Sequence, residues 1–295
     1  MTNKDITKIY FQGNEIVALY QGSTLIFKKS GVVPPSPTGV YKIKGTVTKG
    51  SGYTQFNLTY NNGQTVNVKV NKDFTFETDL QEPLTNANAM FQGMSYLETL
   101  DLNSLDTSQV TNMLNMFSQS NYLKDIKLNI DTSKVTDMSL MFYDCKSLTS
   151  LDLSNFDTSK VTQMGHMFRG FENLKSLDLS NFDTSKVTRL QYMFYDDEKL
   201  TDLYINFDVR LGTYFETTFS LCFSLENVVG KFEGTKDNLY LDDCPLTAQS
   251  AMVFINGLAT VTEQRRLSLN ATTYDSLTPE QIAIATAKGW TVTRS

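Results

Sequence analysis

Apolar positions return through the middle of the chain at a nearly constant step. Met-Phe pairs begin at Met90, Met116, Met141, Met167 and Met193, and Thr218-Phe219 stands in for a sixth, giving steps of 26, 25, 26, 26 and 25 residues. The leucine positions keep the same step: Leu97/Leu100/Leu102, Leu123/Ile126/Leu128, Leu148/Leu151/Leu153, Leu174/Leu177/Leu179 and Leu200/Leu203/Ile205. The two short steps occur where LNID and INFD replace LSNFD, a deletion confined to a turn. Self-similarity at this period is read as one structural unit stacked on copies of itself.

Two periodicities follow each other within a unit. Leu151 and Leu153 alternate with polar residues, which predicts a short strand with one buried face. After Phe156 the apolar positions Val161, Met164, Met167 and Phe168 fit a short helical or 3₁₀ face. Asp157, Thr158 and Ser159 lie between, where short side-chain oxygens accept from free backbone N–H groups and start a turn. The recurrence of Asp106, Asp131, Asp157 and Asp183 is therefore assigned to a recurring turn. One such unit cannot bury its own apolar face, so the array needs neighbours and a cap at each end.

The flanks have different patterns. Residues 6–28 alternate around Gly13-Asn14 and Gly22-Ser23 and predict a meander of three short strands, too small for a core of its own. Two placements stay open: attachment to another surface, or packing on the same chain. Lys29–Gly39 concentrates Pro34, Pro35 and Pro37 with Ser and Gly and predicts a linker. From Val40 to about Thr78 the pattern again predicts strands, with Asn61-Asn62-Gly63 as a hairpin turn, in a small β domain that caps the first repeat. Beyond Phe219, Leu239/Leu241 and Leu267/Leu269 predict two further strands. Thr247–Leu258 predicts a helix, and Thr278-Pro279-Glu280-Gln281 predicts a capping box opening another that Gly289 closes before Trp290.

Charge and chemistry narrow the function. A balance of 26 basic and 32 acidic residues, net -6, argues against nonspecific binding to nucleic acid. No apolar run reaches membrane-spanning length, and the first residues lack a signal-peptide core. Arrival at a surface then requires a removed export signal or another route, such as assembly into a virus particle. Three cysteines do not make a disulfide framework. Cys145 and Cys222 share a slot about 15 Å apart along the stack, and pairing of Cys222 with Cys244 stays open. The one histidine, His166, sits in a variable slot and supports no dyad or metal cluster. Each DTS turn offers a single carboxylate without a calcium-loop glycine pattern, so no metal and no cofactor is expected. Lys134, Lys160 and Lys186 interleave with the turn aspartates as mutual charge compensation. The remaining strip, Asp101, Lys127, Asp152, Asp178 and Tyr204, lies on the outward face of the predicted strands about 5 Å apart. It is the candidate binding face, with a solvated polar surface as its alternative.

LxxLxL followed by NFDTSKVTxMxxMF resembles the BspA-like leucine-rich repeats of bacterial surface proteins. The resemblance covers about residues 84–230 and implies an α/β leucine-rich-repeat solenoid of parallel strands, with attachment or adhesion as its role and no catalytic machinery. The expected organisation is a β-meander arm at 1–28, a linker at 29–39, a small β domain at 40–83, repeats at 84–230 and an irregular C-terminal cap at 231–295. The arm weakly resembles attachment segments of phage tail proteins. The expected function is a noncatalytic surface-displayed or virion-associated protein binding a glycan or protein partner, without membrane insertion. The alternative is an accessory module of a carbohydrate-active enzyme system.

Overall fold

The computed structural model describes the backbone of the strands before residue 78 and, with side chains, residues 85–93, 98–103, 105–211, 214–215 and 217–295. The predicted linker from Ser30 onward, the Asn61-Asn62-Gly63 turn and Leu97 lie outside the described residues, as do the side chains of the early strands. β1 (Ile6–Phe11), β2 (Asn14–Gln21) and β3 (Thr24–Lys29) form the antiparallel meander. β4 (Gly45–Thr46), β5 (Thr54–Thr59), β6 (Thr65–Val70) and β7 (Thr75–Glu77) follow. β5 and β6 pair antiparallel. β7 pairs in parallel with β3 and antiparallel with β4, so one sheet takes strands from both sides of the proline-rich segment.

In the repeats, short parallel strands form where the leucine pattern places them. β8 (Thr99–Asp101) pairs with β9 (Asp125–Lys127), and β10 (Ser176–Leu179) with β11 (Asp202–Asp208) and β12 (Asn227–Glu233). Leu100, Ile126, Leu177 and Leu203 point into the core, as alternation requires. The strand expected at Leu151–Leu153 does not form: its backbone makes no ladder bond to either neighbour, and Leu151 is only partly buried.

The Met-Phe segment is not helical. Residues on either side of it adopt left-handed dihedrals, which an α-helix cannot contain. Leu140, His166 and Tyr192 have φ of 57°, 58° and 57°, and Asp144, Gly170 and Asp196 have φ of 55°, 82° and 68°. The backbone therefore runs as tight turns in which alternate amides point along the stack. Leu140, Phe142 and Asp144 donate to the carbonyls of Gly165, Met167 and Arg169 at 2.9, 3.0 and 2.8 Å. The intervening amides of Met141 and Tyr143 return to Met138 and Leu140 within the unit. The next unit repeats this, with His166, Phe168 and Gly170 donating to Gln191, Met193 and Tyr195.

Two side-chain columns reinforce that ladder. Phe91, Phe117, Phe142, Phe168, Phe194 and Phe219 stack with centroids 5.3–6.0 Å apart and planes within 17°, a spacing at which offset aromatic pairs add to area burial. The DTS threonines form the second column. Buried Thr158 donates its hydroxyl to the Asp183 carbonyl at 3.0 Å and accepts the Asp183 amide at 2.8 Å, and Thr132 and Thr184 make the same double contact with Asp157 and Asp208. The preceding aspartates close the expected turns, Asp157 Oδ1 accepting from the Ser159 amide at 2.9 Å.

The last repeat would expose amides with no unit to receive them, and the C-terminal region supplies acceptors. Asp243 accepts from the Leu221 amide at 2.7 Å, Asp237 from Phe215 at 3.3 Å, and Ser250 Oγ from Val228 at 2.9 Å. β13 (Leu239–Leu241) leads to α1 (Ala248–Gly257), whose Phe254 packs on Phe219 and Phe232 at the end of the phenylalanine column. β14 (Arg265–Leu269), α2 (Ala271–Asp275), α3 (Pro279–Ala287) and β15 (Trp290–Arg294) complete it, with β13, β14 and β15 in one parallel sheet. The predicted capping box is present, Thr278 accepting from the Gln281 amide and Gln281 from the Thr278 amide, and Gly289 ends the helix at φ 90°. Within α1 the buried apolar face is Ala251, Phe254 and Ile255, whereas Ala248 and Met252 pack only partly.

One core slot, four residues after each Met or its substitute, does not repeat in type: Ser120, Cys145, Phe171, Asp197 and Cys222 all lie buried in it. Ser120 Oγ, Cys145 Sγ and Cys222 Sγ donate to the carbonyls of Phe91, Phe117 and Phe194 at 2.9, 3.2 and 2.9 Å. In these three units a small donor in the slot satisfies a phenylalanine carbonyl one unit back. Asp197 accepts from the Phe171 amide at 2.8 Å, and burial, with the Cys222 thiol adding to it, holds its pKa well above the ordinary carboxylate value. All three cysteines are free and buried.

Two outcomes follow from these contacts. Thr158→Val removes the two part-buried bonds to the Asp183 amide and carbonyl and should cost about 0.5–1.5 kcal/mol per bond, read as a lower urea midpoint, with Thr158→Ser close to the parent. Asp197 binds a proton in the folded chain that the unfolded chain releases, so its contribution falls as pH rises from the unfolded carboxylate range through the folded pKa. Asp197→Asn keeps an acceptor for Phe171 without the charge. It should raise the urea midpoint over the parent at pH 8, and the gain should vanish near pH 4.

Candidate functional site

The residues left free by the core fall on two strips. The first is the strand face. Register pairs Asp101 with Lys127, and Asp178 with Tyr204 and Val229, so these side chains line up across successive units. Lys127, Asp152 and Asp178 are exposed, Tyr204 is 39% exposed and Val229 50%, while Asp101 is intermediate. Val229 extends the sequence-derived strip by one unit; it follows from continuing the LxL register past Tyr204. Because no strand forms at Leu151–Leu153, Asp152 lies between two separate sheets.

The carboxylates of this strip already hold local structure. Asp101, Asp152 and Asp178 each accept from the amide two residues on, at 3.0, 3.0 and 2.9 Å. At Asp152 the Ser154 amide and hydroxyl lower the pKa. Lys127 and Asp101 approach to 3.8 Å, an exposed pair that contributes little stability. What the strip offers a partner is the second oxygen of each aspartate, a lysine and a tyrosine ring edge. It can form hydrogen bonds and stack.

The lysine strip acts on the turn aspartates through its charge and not through direct contact. Lys134 donates to Gln109 Oε1 at 2.7 Å and Lys186 to the Ser159 carbonyl at 2.8 Å, and neither makes a direct ion pair with a turn aspartate. The turn carboxylates are held by their own serines: Ser133 and Ser159 lower the pKa of Asp131 and Asp157 foremost, and the lysine charges add to this from a distance. These side chains are spent on the turn, where a calcium ligand would need them free.

A shallow hollow of about 310 Å³ lies beside Asp183, Asp208, Arg210, Lys231 and Glu233. Its charges are internally paired, Arg210 with Asp208 and Lys231 with Glu233 at 2.8 Å. Arg210 accordingly holds the Asp208 carboxyl below its ordinary pKa. Among the described residues no group of three or more His, Cys, Asp or Glu side chains could hold a metal ion, and no helix is long and apolar enough to cross a membrane.

The second strip lies on the Met-Phe turns and was not read as a site from the sequence. Tyr143, Arg169 and Tyr195 occupy one slot, two residues after Met141, Met167 and Met193. Leu140, His166 and Tyr192 occupy the slot one residue before. Arg169 lies over the rings of Tyr143, Tyr192 and Tyr195 at 5.5, 5.7 and 4.6 Å. His166 stacks on Tyr192 with centroids 4.8 Å apart, and its Nδ1 lies 3.4 Å from an Arg169 nitrogen. Partial burial, and then the Arg169 charge, lower the His166 pKa. Aligning the units slot by slot is the signal that finds this cluster, because its members are 26 residues apart.

The family model described as "Mycoplasma protein of unknown function, DUF285" matches the chain three times, over residues 65–150, 85–176 and 148–238. No curated protein and no solved structure matches it. The overlapping matches span residues 65–238, more than half of the 295-residue chain, and follow the same repeats whose ladders hold the structure together; the chain belongs to this BspA-like repeat family.

Proposed function

We propose that the chain is a noncatalytic binding or adhesion protein, displayed on a cell surface or a virion, that presents one face of a leucine-rich-repeat solenoid to a glycan or protein partner. The meander β1–β3 serves as its attachment arm, residues 40–83 as the cap of the first repeat, and residues 231–295 as the cap of the last. One observation carries the reading: Lys127, Asp178 and Tyr204 stand on exposed positions in register with their neighbours, Asp101 beside Lys127 being half-buried, while the core and turn residues around them are committed to inter-unit contacts. A linear array of exposed polar groups suits an extended partner that touches several units at once. Membership of a BspA-like repeat family is compatible with such a role.

The test is a printed array of glycans and surface proteins probed with the parent chain and with Asp152→Asn/Asp178→Asn/Tyr204→Thr. Asparagine retains the acceptor for the Ser154 and Ser180 amides, so the turns survive while charge and ring are lost. The parent is expected to bind a member of the array and the triple variant to bind it at least tenfold more weakly. Hydrolysis of an arrayed polysaccharide, or binding that the triple variant leaves intact, would overturn the proposal.

A further inference from the structure

The Met-Phe turns carry bulky rings where their backbone disfavours them. The slot before each Met is left-handed in every described unit from Ala89 to Tyr192, and the first two units fill it with Ala89 and Asn115. A large non-glycine residue there costs on the order of 1–3 kcal/mol. The companion slot holds Gln92, Ser118 and Ser220 in other units. Only in the three units from Met141 to Met193 do these two slots become Leu140/His166/Tyr192 and Tyr143/Arg169/Tyr195. The backbone bonds do not depend on these side chains: the amides of Leu140 and His166 donate to the next unit, and those of Tyr143, Arg169 and Tyr195 return within their own.

The resulting patch has a defined chemistry. Its rings are neither buried nor fully exposed, so each keeps a surface toward solvent. Arg169 sits within cation–π distance of three tyrosine rings, which attract its charge and leave its N–H groups able to donate to a partner. One of those nitrogens faces His166 Nδ1, and among the described residues no carboxylate lies within ion-pair distance of Arg169. Of the nearby acids, Glu172 pairs with Lys146 at 2.6 Å, and Asp144 and Asp196 act on that same lysine through their charge. A fixed guanidinium between aromatic faces matches a ligand with a carboxylate beside a ring whose C–H face can stack.

We propose that Tyr143, His166, Arg169, Tyr192 and Tyr195 form a binding site for a carboxylate-bearing sugar, with Arg169 taking the carboxylate and the tyrosine rings the pyranose face. The site uses turns and not strands, so it stands apart from the strand-face strip and is tested separately. His166 is the only histidine in the chain, and its ring protons give one resolved signal inside the patch. The experiment titrates the full chain with D-glucuronate, D-glucose and acetate at constant pH and ionic strength and follows the His166 ring resonances by NMR. Saturable shifts are expected with glucuronate, at least tenfold weaker binding of glucose and acetate, and a tenfold or greater loss of glucuronate binding in both Arg169→Gln and Arg169→Lys. Retained circular dichroism checks that these variants fold, and Tyr195→Ala should weaken binding in the same direction. Absence of a saturable shift with glucuronate, equal shifts with glucose or acetate, or full binding by Arg169→Gln would overturn the proposal.

Discussion

A backbone with left-handed residues on both sides of each Met-Phe pair can bond to itself only within a turn, so every second amide must find a carbonyl outside its own unit. In this chain that carbonyl belongs to the next repeat: Leu140, Phe142 and Asp144 reach Gly165, Met167 and Arg169, and the pattern continues from His166 onward. A buried amide without an acceptor is costly, so this demand fixes the register of one unit on the next. The phenylalanine column and the threonine double contacts form at that register and at no other. The same demand explains the end of the array, where Asp237, Asp243 and Ser250 take the place of the missing carbonyls. The cap is therefore a hydrogen-bonding requirement as much as an apolar one.

Much of this was legible in the sequence because it recurs. The LxL positions, the DTS turn, the capping box at Thr278 and the helix end at Gly289 all carry local signatures with a single physical meaning. The Met-Phe segment misled because Val161, Met164, Met167 and Phe168 have helical spacing, and apolar spacing alone does not distinguish a helix from successive turns. The contrary signal was present three residues after four of the five Met, where Gly93, Asp144, Gly170 and Asp196 fill a slot that suits left-handed backbone, with Gln119 the exception. Asp237 and Asp243 could not be found this way. Their role depends on which amides the last unit leaves unpaired, which only the three-dimensional stack defines.

The division between committed and free residues is what connects fold to function. Leucine, methionine, phenylalanine and the DTS threonine are spent on contact with neighbours, and the DTS aspartate on its own turn. Even the strand-face aspartates give one oxygen to a backbone amide. Variation is tolerated only where the ladder does not depend on the side chain, and there the chain carries two patches of different character: a polar strand strip, and an arginine set among tyrosines on the turns. The buried slot varies as well: Ser120, Cys145 and Cys222 each reach a phenylalanine carbonyl one unit back, and in the two units between, Asp197 accepts from the Phe171 amide.

The claim on which the rest depends is that register, set by the 26-residue period, determines whether the stack forms. Deleting residues 158–183 removes one period and joins Asp157 to Thr184, restoring the NFDTSKVT string and every inter-unit partner. Deleting only the first half of that segment, residues 158–170, leaves the amides of the following unit out of step with their acceptors. Urea unfolding followed by circular dichroism should show a cooperative transition for the full-period deletion at a somewhat lower midpoint than the parent, and loss of the folded state for the half-period deletion. Equal behaviour of the two deletions, or failure of the full-period deletion to fold, would contradict the account.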